Sequence, residues 1–580
     1  MQNVSIFVFL PLTICLLVLS FNEKLRKRVL ALRIIRAAEE KLGGFNRLYW
    51  PAFILIMAAG VFARCYRFVE LPMGINQDGL MAGNEGYSLL MNGTDQFGMA
   101  WPTYFQAWGF SQMSTLYSYL LIPFFKFLGV SKFTLRLPML LASIAMLPVI
   151  WDFARRMAGK NYALLALFVA ATCPWHIIQS RWALEANLMP HVLLTGMYLL
   201  FLGRERRWAL YLSMVFFGLT PYAYGVACFS VPVFLLFAAI YYAARKKVRI
   251  VDLLICVALF ICVGGPYFYT MAINAFGLET AHLGPITMPL FEDSLRSNDM
   301  AFTQESPYYT MLWNFLKHLD TWLLCGEEAL YSVIGWTHAL YRFMPPVALC
   351  GMYIMWKKRR AVAGNGLDNG FRDGGMLLLL WMLAAMFNGA MIGGVINRNN
   401  VVFYPLLFFM AYALYWMGKR FRTGLAAVVS MIFISFVGLN VTYFADKSYQ
   451  KTVADMSSYG LYEALLDTRD WDYDRYYVQI SGEDEGAHAK LMNAFVMFAH
   501  QIDYRGRNDD MLLKDSSGQE IDWYYSERYD FVDFDQFELD PMECAVYISA
   551  EGGRNKFNPD EYLITEYGNY IAAYPVYWAE

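Results

Sequence analysis

The residues best placed for chemistry are a few ionisable side chains beside long apolar segments. Asp78 stands in Asn76-Gln77-Asp78-Gly79, just past an apolar segment, and Glu85 follows seven residues later. Arg136 lies in Leu135-Arg136-Leu137-Pro138. Arg181 and Glu185 share the run from Trp175 to Glu185, and Asn397 and Arg398 precede another apolar segment. A carboxylate of this kind can act as a base, and a guanidinium can grip phosphate oxygens in a fork. Each residue also has a plainer reading. Arginines at span ends snorkel to the interface, Arg181 and Glu185 are spaced to pair on a helix, and Tyr222 and Tyr224 fit ordinary interfacial aromatics.

The elements that position these residues are membrane helices. The chain is 58% hydrophobic, 17% aromatic and only 17% charged, far from a soluble globular average. Apolar runs of about 17 to 20 residues recur, the length a helix needs to cross a bilayer. Twelve spans are expected, at about 4–21, 50–66, 137–153, 161–175, 189–203, 208–221, 226–243, 250–271, 343–356, 375–389, 401–416 and 424–442. Beyond His191 and Asp252 near their ends, these spans read as nearly free of ionisable groups.

Basic clusters follow every second span: Lys24/Arg26/Lys27/Arg28, Arg155/Arg156/Lys160, Arg204/Arg206/Arg207, Arg245/Lys246/Lys247/Arg249, Lys357/Lys358/Arg359/Arg360 and Lys419/Arg420/Arg422. The positive-inside rule puts all six in the cytoplasm, and both the N-terminus and the tail outside. The first span has its basic flank after it, the reverse of a secretory signal, so it reads as a retained helix. All the candidate residues then share the outer face. That placement suits a reaction on an amphiphile whose headgroup projects outward.

Residues 446–580 carry 28 acidic and 11 basic residues, a net of −17, leaving 36 basic and 21 acidic residues, a net of +15, to the body. This split marks a domain boundary. The expected organisation is an extra N-terminal helix with a basic linker (1–49), a membrane body (50–445) with external loops at 67–136 and 272–342, and an acidic extracytoplasmic α/β domain (446–580). In the tail, helical patterns at 452–467 and 487–500 alternate with β-like runs at 476–480 and 545–548. Leu116 to Gly129 is apolar but short, and reads as a helix lying in the interface or dipping into it. Residues 306–322 have the pattern of an amphipathic surface helix, and the Gly/Asn/Asp-rich stretch 361–374 that of a flexible linker. Nine cysteines without paired spacing predict neither a disulfide framework nor a zinc site.

The runs QDGLMAGNEGYSLLMNGTDQFG, PTYFQAWG, LYSYLLIPFFKFLG and RLP resemble the first external loop of the protein O-mannosyltransferase and aminoarabinose transferase relatives, a GT-C-type family of membrane glycosyltransferases. SRWALEANLMP resembles a stretch of its bacterial members. The resemblance spans about residues 50–440 and implies a GT-C-like polytopic α-helical protein of the bacterial plasma membrane. Such a protein is a hexosyl- or pentosyltransferase that uses a polyprenyl-phosphate sugar and an acceptor on protein, lipid or cell-wall glycan, with membrane lipids but no nucleic acid as partners. Carried over, Asp78 takes the general base position of an inverting transfer, and the family's following Glu is Gly79 here. Arg136, Arg181 and Arg398 become candidates for the donor phosphate, with Glu85, Glu185, Asn397, Tyr222 and Tyr224 as further substrate-binding candidates. Where some relatives carry a metal-binding acid the nearest counterpart is Gln106, so no metal or other cofactor is expected. Two rival readings are a transporter or flippase, and an O-antigen-ligase-like enzyme working through Arg296, Arg342, His282, His318 and His338 of the 272–342 loop.

Overall fold

The expected apolar segments are largely helical in the computed structural model, except that the one at 161–175 is broken at Cys173 between Lys160–Thr172 and Pro174–Gln179. The structure describes residues 2–43, 48–107, 111–291, 300–324, 333–358, 366–393, 396–480, 485–503, 513–514, 520–521 and 528–579. Arg296, Arg359, Arg360 and residues 361–365 lie outside them. Among the described residues, seven helices are long and apolar enough to cross a membrane: Gln2–Phe21, Lys132–Ala158, Ala227–Ala244, Ile250–Phe276, Asn369–Met391, Ile396–Gly418 and Arg422–Ala445.

The outside of the bundle shows why these helices belong in lipid. Ile250–Phe276 turns Ile250, Val251, Leu254, Val257 and Ile261 outward, all more than 45% exposed. An apolar surface of that extent is unfavourable in water and ordinary in a bilayer. At the centre, Phe403–Gly418 is apolar all round and buried along nearly its whole length. The protein is a multi-pass helical membrane protein.

Two basic loops meet at one end of the bundle. Asp373, fully buried, lies 3.6 Å from the Arg204 guanidinium and 3.3 Å from the Lys247 ammonium, and accepts from the Tyr241 hydroxyl at 2.8 Å. These partners correct the linker expected over 361–374. From Gly366 onward the stretch is already the helix Gly366–Met391, anchored through Asp373.

The surface helix expected at 306–322 is Pro307–Leu319. Tyr308, Tyr309, Leu312, Trp313 and Leu316 face outward, while Asn314 and His318 turn inward. His318 Nε2 lies 2.9 Å from the Ile392 carbonyl. Leu116–Leu128 forms one helix through Pro123, held to the next helix by a 2.7 Å bond from the Tyr117 hydroxyl to the Leu135 carbonyl.

In the tail, Arg475–Gln479 pairs in parallel with both Ala545–Ala550 and Tyr529–Val532. Tyr570–Pro575 and Tyr562–Tyr567 extend the sheet antiparallel. The two β-like runs of the sequence are thus direct neighbours. The helix expected over 452–467 is broken into Lys447–Met456 and Leu461–Thr468. Ser458 (φ +48°) and Gly460 (φ +99°) take left-handed backbone in the turn between them. A Cβ on Gly460 meets the Tyr567 carbonyl oxygen at 1.6 Å, so the turn passes too close to the sheet for a side chain.

This turn docks the tail onto the first loop. The Ile75 amide donates to the Ser457 carbonyl at 3.2 Å, Asn84 Nδ2 donates to the Ala494 carbonyl at 2.9 Å, and Lys132 pairs with Glu463.

The tail carries a pH dependence. Burial pushes His500 down to about 4, and its Nδ1 lies 2.6 Å from the Tyr529 hydroxyl. The folded tail keeps this imidazole neutral while the unfolded chain protonates near pH 6.5. Stability is therefore complete above about pH 6.5 and falls toward pH 4, by on the order of 3 kcal/mol. Denaturant titrations from pH 7 to 4 are expected to show this slope in wild type and lose most of it in His500→Gln. An equal slope in both assigns it to other groups.

Candidate functional site

Asp78 occupies the first turn of Gln77–Asn92. Asn76 precedes the helix with extended backbone (φ −75°, ψ 144°), and its Nδ2 donates to the Ala183 carbonyl at 3.2 Å. A Cβ on Gly79 meets that same carbonyl oxygen at 2.2 Å. The helix start is thus pressed against the 182–187 segment, and no side chain fits at 79.

Asp78, partly exposed, lines a cavity of about 280 Å³. Its wall includes Asn76, Gln77, Trp182, Leu184, Asn187 and Asn397, and the tail contributes Val453, Met456, Ser457, Ser458, Leu491 and Phe495. A second cavity, of about 310 Å³, is lined by Tyr104, Glu185, Tyr224, Tyr267, Phe268 and Arg398 among others. The two adjoin, because Leu184 and Asn397 face the first while their neighbours Glu185 and Arg398 face the second.

The three candidate arginines have different surroundings. Arg181, fully buried, donates to the carbonyls of Ala63 (3.3 Å), Arg64 (2.8 Å), Tyr66 (2.8 Å), Arg67 (3.0 Å) and Leu71 (3.0 Å). Arg136, also buried, donates to the carbonyls of Val69 (3.4 Å), Pro72 (2.9 Å) and Gly74. Neither lines either of these two cavities. Both hold the strand of chain that runs from Tyr49–Cys65 to Asp78. Arg398, partly exposed, donates to the Gly393 carbonyl at 3.2 Å and lines the second cavity.

The remaining candidates divide in the same way. Glu185 accepts from the Ser114 amide at 2.5 Å, and Ser114 Oγ accepts from the Gly225 amide at 3.0 Å, which ties the 111–115 segment to the loop carrying Tyr224. Tyr222 sits between two helices, donating to the Val263 carbonyl (3.0 Å) and accepting from the Tyr267 amide (3.1 Å). Glu85, fully buried, accepts from the Gln96 amide at 3.0 Å and braces the loop after its helix. Gln106 is paired with Gln112 in a short hairpin. His282 lies by Thr287 (3.3 Å), His318 by Ile392, and His338 by Arg342, so these three have separate neighbourhoods and line neither cavity. Among the described residues, no three His, Cys, Asp or Glu side chains group as a metal site.

One buried chain of polar groups went unread in the sequence and corrects the expectation of spans nearly free of charge. Arg64, fully buried near the end of Tyr49–Cys65, lies 2.6 Å from His176 Nδ1. His176 Nε2 lies 3.0 Å from the Tyr404 hydroxyl, which lies 2.6 Å from His191 Nδ1. The signal was visible as Arg64 inside an apolar run, a placement that is costly unless the charge is satisfied. Nearby, Gln179, Asn187, Asn397 and Asn400 form an amide layer that holds the 396–402 turn to the 179–187 segment. Its bonds include Asn400 Nδ2 to the Ala186 carbonyl at 2.8 Å.

The protein is a multi-pass membrane bundle with a carboxylate-bearing cavity, and it has counterparts among known proteins. Residues 113–267 match the dolichyl-phosphate-mannose-protein mannosyltransferase family, which bears out the resemblance to GT-C-type membrane glycosyltransferases. That stretch includes Arg136, Arg181, Glu185, Tyr222 and Tyr224, but not Asp78 or Arg398. No curated protein sequence matches the chain. Among solved structures, ArnT from Cupriavidus metallidurans bound to undecaprenyl phosphate overlays with a TM-score of 0.47 at 10% identity, covering 91% of this chain and 98% of that one. Its apo state gives 0.46 at 11%, covering 92% and 98%. The Archaeoglobus fulgidus oligosaccharyltransferase with zinc and sulfate gives 0.45 at 13%, covering 77% and 61%.

The carbonyl contacts of Arg181 make a stability prediction. A lysine reaches fewer acceptors from a single point and leaves buried carbonyls unmet, each costing about 1–3 kcal/mol. Arg181→Lys is expected to lower the melting temperature in detergent markedly, whereas Arg398→Ala leaves it nearly unchanged. The reverse order in a thermal-shift comparison rejects the assignment.

Proposed function

We propose that this protein moves a sugar from a polyprenyl-phosphate donor to an acceptor hydroxyl at the outer membrane face, with inversion at the anomeric carbon. The observation that carries the reading is the pair of adjoining cavities, one bearing Asp78 and the other Arg398, at the end of the bundle where the tail docks. The family match over 113–267 supports the same chemistry.

The second cavity suits the donor. Phe229, Tyr267, Phe268 and Met271 give it an apolar lining, drawn from Ala227–Ala244 and Ile250–Phe276, both of which expose apolar side chains on the outside of the bundle. A polyprenyl chain enters there from the bilayer, with its phosphate at Arg398. The acceptor hydroxyl lies in the first cavity. As its oxygen bonds to the anomeric carbon, the bond from that carbon to the phosphate oxygen breaks. Asp78 takes the hydroxyl proton, and the lipid phosphate leaves with the bonding electrons. A carboxylate with a reference pKa near 3.9 is ionised at neutral pH, so position rather than tuning makes it a base. Arg398 offsets the charge that grows on the leaving phosphate. In this reading Arg136, Arg181, Glu85 and Tyr222 are positioning residues, while Glu185, Asn397 and Tyr224 border the substrates. The twelve-span arrangement, with residues 1–49 as an added helix and linker, 50–445 as the catalytic body and 446–580 as an outer domain, belongs to the same reading.

Purified protein incubated with a panel of polyprenyl-phosphate sugars and an envelope extract tests it. Wild type is expected to release free lipid phosphate. Asp78→Asn is expected to lose on the order of 100-fold or more in turnover, and Arg398→Ala about 100-fold. Full activity in well-folded Asp78→Asn sinks the mechanism, and uptake of a solute by reconstituted vesicles without any release of lipid phosphate favours a transporter.

A further inference from the structure

Resting on the transferase reading, we infer that the Asp78 cavity takes a neutral, hydroxyl-rich acceptor, a sugar unit of a glycan, in preference to a phosphorylated or otherwise anionic group.

Asp78 is the one ionisable side chain lining this cavity among the described residues. Facing it are the carboxamides of Asn76, Gln77, Asn187 and Asn397, the indole of Trp182 and the hydroxyl of Ser458. Asn187 is 2% exposed. Its Nδ2 donates to the Gln179 carbonyl at 3.4 Å, while its Oδ1 has no hydrogen-bond partner among the described residues. That unmet acceptor belongs to a residue of the cavity wall, where a hydrogen-bond donor on a ligand would satisfy it.

The ligand that meets this wall must give hydrogen bonds as well as receive them. A sugar hydroxyl does both, matching a carboxamide at either end. A phosphate or carboxylate has no proton to offer Asn187 Oδ1, and it places like charge beside Asp78. The tail strengthens the discrimination. It supplies Met456, Ser457 and Ser458 to the wall, all uncharged, so among the described residues the tail brings no cation to hold an anion there. Trp182 and Phe495 offer flat apolar faces to the ring carbons of a saccharide. Arg136 and Arg181 give their donors to backbone carbonyls, and Arg398 lines the second cavity, where the proposed reading puts the donor phosphate.

Membrane vesicles carrying full-length wild type, Asp78→Asn or Asn187→Ala, given radiolabelled polyprenyl-phosphate sugars and the native envelope, provide the test. Label that depends on Asp78 is sorted by protease digestion, mild acid to remove lipid, and anion exchange. The expected product is a protease-resistant, uncharged saccharide, and Asn187→Ala raises the apparent KM for it about 3- to 10-fold with the donor KM unchanged. Asp78-dependent label in protein, a basic peptide included, or in an anionic lipid overturns the inference and leaves the transferase reading standing. An absence of Asp78-dependent label in every fraction overturns both. Met456→Trp, which fills the cavity from the tail side, gives a second measure should Asn187→Ala misfold: transfer to the glycan is lost while donor binding persists, and an unaltered acceptor KM overturns the inference.

Discussion

The end of one helix sets the geometry of the site. Tyr49–Cys65 stops at the membrane face, where its last carbonyls have no partners within the helix. In lipid such groups must be satisfied by protein. Arg181 does so, taking carbonyls from Ala63 to Leu71 with one guanidinium, and Arg136 continues along Val69, Pro72 and Gly74. The chain is thereby laid across the bundle end and delivered to Asn76, where Gly79 presses against the Ala183 carbonyl. Since Ala183 is two residues from Arg181, the same segment that fixes the incoming chain also abuts the start of the Asp78 helix. Position of the carboxylate follows from backbone satisfaction.

Arginine at the face of a membrane enzyme is easily assigned to phosphate, and here the fold divides the assignment. The sequence puts Arg136 and Arg181 beside apolar segments, but their partners lie more than 60 and 105 residues away along the chain. Nothing local separates a guanidinium that faces a ligand from one that faces carbonyls. Arg398 differs because it sits on a short turn held from beneath by the amide layer, which leaves its own head at a cavity wall.

What the sequence made legible was whatever a periodic pattern encodes. Apolar length located most of the helices. The amphipathic pattern at 306–322 became Pro307–Leu319. Features set by contacts distant in sequence were not legible. The stretch after Gly366 reads as a linker until Tyr241, Arg204 and Lys247 reach Asp373. The 452–467 pattern runs unbroken until the sheet edge at Tyr567 forces the turn at Gly460. Arg64 hides inside an apolar run, because its compensation comes from His176, on a different helix.

That broken helix has a consequence for the division of labour between body and tail. An unbroken helix from 447 to 468 passes the first loop without a turn to present to it. The break puts the Ser457 carbonyl on the Ile75 amide and sets Ser457 and Ser458 in the cavity wall. The body supplies Asp78 to the first cavity and Arg398 to the second, and the tail supplies Val453, Met456, Ser457, Ser458, Leu491 and Phe495 to the first alone. In the proposed reading the tail therefore shapes the acceptor side and not the donor side. The start of that turn, at Ser457 and Ser458, is one of the places where the tail meets the body at the Asp78 cavity, beside Val453, Met456, Leu491 and Phe495.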